Sequence, residues 1–156
     1  MPAPKLTKAA RTLLEKTFKR MRQMPDTFNM DEWIQHALDV EPSSTRPTPY
    51  CGTVACLAGH IALAATGRLP EQPPFYVVSR LSKKIQARLG PQVGIIASTA
   101  EVTFAALGLQ EEIPYLLFYT SDWPNQFKIA YDIATTEPER VRVAIKRVRH
   151  WLRTGE

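Results

Sequence analysis

Two cysteines in 156 residues are too few to staple a fold with disulfides. No apolar run is long enough to cross a bilayer; the longest, residues 54–65, is interrupted by His60. The first residues carry Lys5, Lys8 and Arg11, but no apolar stretch or cleavage signal follows, so no secretory peptide is read there. Internal repeats, low-complexity segments and paired C-x-x-C knuckles are also missing. These absences predict a cytoplasmic protein with free thiols and no membrane partner.

What is present is an ordinary globular composition, 44% apolar and 22% charged. The length suits one domain covering residues 1–156. Helical spacing recurs along the chain. Leu6, Ala10, Leu13, Leu14, Thr17, Met21 and Met24 share one face of a helix over residues 6–23. Asn29 with Glu32, Ser98 with Glu101, and Thr136 with Glu139 have the spacing of capping boxes. Thr53 is expected to cap a helix that Gly67 stops. Residues 75–89 read as helix, or as a short strand followed by helix, and the last helix runs from Thr136 to about Arg153. The expected fold is all-α: a compact single-domain bundle of about six to eight helices around a buried central helix at about 54–65.

The densest chemistry is the run from Cys51 to His60. Cys56 and His60 are four residues apart and would share a helix face, with Cys51 just before the helix. A thiol at a helix N-terminus feels the positive end of the dipole, which favours thiolate and makes Cys51, Cys56 and His60 candidate catalytic residues. The same three side chains are competent zinc ligands, with His36, His150 or a carboxylate as a fourth. Packing is the third reading, because free cysteine is a small apolar residue and Ala55, Ala58, Gly59 and Ala62 let another helix approach. The sequence assigns no metal and no cofactor.

Cys51-Gly52-x-x-x-Cys56 entering a helix resembles the nucleophile segment of a family of cysteine peptidases. That family also uses a His and an Asp or Asn from downstream strands. Here His150, in a basic helical segment, is the only downstream histidine. A broader resemblance rests on Phe28-Asn29-Met30-x-x-Trp33, Cys51-Gly52-Thr53-x-x-Cys56-x-Ala58-Gly59, Leu116-x-Phe118 and Trp123-Pro124. Together they resemble a family of small bacterial and phage-borne proteins with no established activity. The resemblance implies kinship without chemistry, and in that family the position of His60 is often aromatic.

Charge is the other signal. Residues 1–24 carry seven Lys/Arg and one Glu, and residues 139–156 carry six Lys/Arg and two Glu. The stretch between them is net acidic. In the last helix Arg142, Lys146, Arg149 and Arg153 form one stripe, opposite Val141, Ala144, Ile145, Val148 and Leu152. If the first and last helices pack together, Lys8, Arg11, Lys19, Arg142, Lys146 and Arg149 make one basic surface. Such a surface fits phosphates or an acidic protein. Trp123, between Asp122 and Pro124 and near Tyr119, reads as a partner anchor or as a core plug. The sequence therefore predicts a non-enzymatic binding or regulatory module of phage type, acting through a basic surface on nucleic acid or an acidic protein. The alternative is a cysteine-dependent hydrolase centred on Cys51 or Cys56.

Overall fold

Thr7 opens the first helix: its hydroxyl accepts the amide of Ala10 at 3.2 Å. The computed structural model in which this is seen describes residues 3–30, 56–71, 74–91, 93–109 and 115–155. Helix α1 (Lys8–Gln23) buries Ala10, Leu14, Thr17, Phe18 and Met21. These positions recur every three to four residues, so they fall on one side, while Lys8, Arg11, Lys16, Lys19 and Arg22 face outward. The Met24 amide returns to the Arg20 carbonyl, and Pro25 begins a tight 3-10 turn, Pro25–Thr27. Glu32, of the expected Asn29–Glu32 capping box, lies outside the described residues.

Helix α2 (Leu57–Thr66) is the expected central helix, and its start is corrected. Cys56 has extended backbone (φ −71°, ψ 180°) and is the N-cap, so the helix begins at Leu57 and not at residue 54. Thr53 lies outside the described residues. Every residue from Leu57 to Leu63 is buried. Gly67 ends the helix at φ +71°, a left-handed conformation that glycine adopts without a steric cost.

The all-α expectation holds only as a mainly helical fold. Strands β1 (Phe75–Val77) and β2 (Ile96–Ser98) pair antiparallel, with Tyr76 opposite Ala97. Tyr76 and Ala97 point into the core while Phe75 and Ile96 stay exposed, the period-two alternation of a strand. Of the two readings of residues 75–89, strand then helix is the one observed: after a 3-10 turn, Ser82 caps α3 (Lys83–Leu89). Helix α4 (Thr99–Leu107) follows β2 directly through the Ser98–Glu101 capping box.

The rest of the described chain is helical. Helix α5 (Tyr115–Phe118) leads through a 3-10 turn, Thr120–Asp122, into α6 (Asn125–Asp132). Helix α7 (Glu137–Thr154) starts from the Thr136–Glu139 capping box. The Glu139 carboxylate accepts the amides of Thr135 at 3.0 Å and Thr136 at 3.2 Å.

Two buried clusters form the core. The larger joins α1, α2, α4 and α7 through residues such as Leu14, Phe18, Ile61, Phe104, Ile145 and Trp151. The smaller gathers Tyr76, Leu81, Ile85, Leu89 and Ala97 beneath the other side of α2 and α4. The small residues Ala58 and Ala62 are fully covered, and the Thr103 hydroxyl of α4 donates to the Ala58 carbonyl at 2.8 Å. Arg147 is also buried on α7, with its guanidinium 5.8 Å from the centre of the Phe127 ring.

Candidate functional site

Cys56 and His60 sit one turn apart where α2 begins, as their spacing predicts, but burial overrides the expected thiolate. The backbone amides of Gly59 and Ala58 do favour the charged form. Desolvation outweighs them and pushes the Cys56 thiol up to about 11. At neutral pH this sulfur carries its proton and is covered.

His60 is equally enclosed. Its Nε2 lies 2.9 Å from the Thr27 carbonyl oxygen. A carbonyl only accepts, so Nε2 carries the hydrogen and Nδ1 is bare. Nδ1 is buried without a hydrogen-bond partner. Desolvation lowers the imidazole to about 4, with the nearby Arg20 charge acting in the same direction. His60 thus ties α2 to the turn after α1, and its ring lies 6.1 Å from that of Phe28.

Cys56 and His60 therefore occupy the packed core, which removes the accessible nucleophile and base assigned to them. Of the other two histidines considered, His150 lies against the Phe127 ring at 5.2 Å and His36 lies outside the described residues. Cys51 lies outside the described residues. Among the described residues no three His, Cys, Asp or Glu side chains come together as metal ligands.

Trp123 is likewise corrected as a partner anchor. It is buried, its indole N–H donates to the Leu117 carbonyl at 3.0 Å, and its ring meets Tyr131 edge-on at 5.5 Å. The neighbouring Tyr119 remains exposed.

The basic residues come together as the charge layout predicts. α1 packs on α7, and Arg149 reaches the Glu15 carboxylate at 3.3 Å while its guanidinium lies 5.7 Å from the Phe18 ring. Open hollows run on from one another across this face. One is lined by Lys8, Arg11, Glu15, Lys16 and Lys19. The next shares Arg11 and Glu15 and adds Leu6, Leu14, Leu152 and Arg153. A third shares Leu152 and Arg153 and adds Lys146, Arg149 and Phe127. The last shares Lys146 and adds Arg142, Val143 and Ile133.

Lys8, Arg11, Lys19, Arg142, Lys146 and Arg149 are all exposed on this run. Lys16 and Arg153 belong with them. Two carboxylates line it, and both are engaged: Glu15 by Arg149, and Glu139 by the amides that start α7. Arg149 is thus less free than its place in the stripe suggested. Among the described residues no helix is long and apolar enough to cross a membrane. No protein-family model, curated protein or solved structure matches the chain.

Proposed function

We propose that this chain is a non-enzymatic binding module of the cytoplasm that holds the phosphate backbone of nucleic acid on the joined faces of α1 and α7. The supporting observation is the unbroken run of hollows from Lys8 to Arg142, lined by exposed cations and by two carboxylates already engaged. Each basic stripe spans about 16 Å along its helix, long enough to meet several phosphates of one strand. Long aliphatic stems with charged tips suit contacts to phosphate and carry no base-reading geometry. The module binds without sequence preference and is of the phage-borne type that its motifs resemble.

Fluorescence anisotropy of labelled duplexes of unrelated sequence tests this. Affinity should be alike for all of them. It should fall about 100-fold between about 50 mM and 200 mM salt if about four phosphates are contacted. Lys16→Glu with Lys19→Glu should weaken binding at least tenfold and leave the melting temperature unchanged. No binding to any duplex at low salt would overturn the reading.

A second reading has its own support. The hollow at the α1–α7 seam has an apolar floor of Leu6, Leu14 and Leu152 beside Arg11 and Arg153. An acidic protein surface with a protruding apolar side chain fits that floor better than phosphate does. For such a partner, Leu152→Ser would weaken binding as strongly as Arg153→Glu, whereas phosphate binding responds to the arginine alone.

A further inference from the structure

One hollow of the basic run has a floor that phosphate leaves unused. Phe127 of α6 and Leu152 of α7 line it, both half-buried, and Lys146, Arg149 and Arg153 stand around them. Its volume of about 590 Å³ lies in the range of pockets that take small organic ligands. Phe127 is the one aromatic residue among those lining the four hollows. Its ring is held in place. The buried Arg147 guanidinium lies over it at 5.8 Å, and the His150 ring packs against it at 5.2 Å.

We infer that this hollow takes an unpaired nucleobase, stacked on Phe127, so that the basic face prefers a single strand to a duplex. The inference rests on the phosphate-binding reading above and adds the form of the nucleic acid. A duplex keeps its bases stacked inside. It offers this face phosphates alone and leaves the apolar floor in water. An unpaired strand turns a base onto an aromatic ring while its phosphates meet the flanking cations. The hollow shares Lys146 with its neighbour on one side and Arg153 with its neighbour on the other. The cations therefore continue in both directions, and a strand has charge to follow as it enters and leaves. A free nucleotide would use neither continuation. Stacking accepts any base, which keeps binding independent of sequence.

Fluorescence anisotropy of the full chain at one salt concentration tests this with three labelled probes of about 15 nucleotides. They are an oligothymidine strand, a duplex, and a strand of the same length from which the bases are removed. Oligothymidine should bind about fivefold or more tighter than either of the others. Phe127→Leu keeps an apolar side chain against the core. It should cost oligothymidine about fivefold or more and leave duplex affinity unchanged, while Phe127→Tyr should keep the preference. An abasic strand bound as tightly as oligothymidine would overturn the inference and leave the phosphate reading standing. So would equal losses for strand and duplex in a folded Phe127→Leu protein, or displacement of oligothymidine by an equal concentration of thymidine monophosphate. No binding of any probe at low salt would remove the phosphate reading and the inference with it.

Discussion

The imidazole of His60 and the carbonyl of Thr27 meet at 2.9 Å, joining the central helix to the turn that ends α1 through one buried hydrogen bond. The bond holds the neutral ring, whose folded pKa is about 4 against an ordinary 6.5. The unfolded chain therefore takes up a proton first as pH falls. Stability contributed here is complete above about 6.5 and is lost progressively as pH drops towards 4, by up to about 3 kcal/mol. Urea denaturation should show about 2 kcal/mol of that loss between pH 7 and pH 5 in the wild type. A smaller loss is expected in His60→Gln, and equal losses in both would refute the assignment.

Cys56 should be inert in the native protein. In a Cys51→Ser background, iodoacetamide at pH 8 should label the remaining thiol at least tenfold faster in denaturant than in buffer. Rapid labelling of the folded protein would revive the cysteine-hydrolase reading.

Trp123 should matter to stability before it matters to any partner. Trp123→Ala removes a buried ring and leaves the Leu117 carbonyl without its donor. A cost of about 3–5 kcal/mol is expected in chemical denaturation. A variant as stable as the wild type but impaired in binding would restore its role as an anchor.

Ser98 both ends β2 and caps α4, with its hydroxyl and amide each bonded to Glu101 at 2.7 Å. Ser98→Ala should cost about 1 kcal/mol, read as a shift in denaturation midpoint. Within error of zero, the capping box would be idle.

Features that depend on neighbours in sequence were legible. The capping boxes at Ser98 and Thr136 and the stop at Gly67 follow from a few adjacent residues, and all are observed. The apolar stripe of α1 was read almost in full, missing only Phe18. Features set by distant packing were not legible. Strand β1 owes its form to β2, which lies beyond the intervening helix α3. Arg147 is one of the six Lys/Arg of residues 139–156, yet it lies among the inward positions near Ala144, Val148 and Trp151. A helical wheel would have flagged it. Spacing put Cys56 and His60 together, but only the packing around them shows that burial, and not the helix dipole, governs their protonation.

The two cores share a wall. Leu57, Ala58 and Ile61 of α2 belong to one, and Ala62 and Leu63 to the other; α4 divides in the same way between Phe104 and Val102. The ribbon and α3 close the smaller chamber from outside, and they rest on α4. Amide hydrogens of α3 and β1 are therefore expected to exchange with solvent ahead of those of α1 and α7, the helices that carry the basic face.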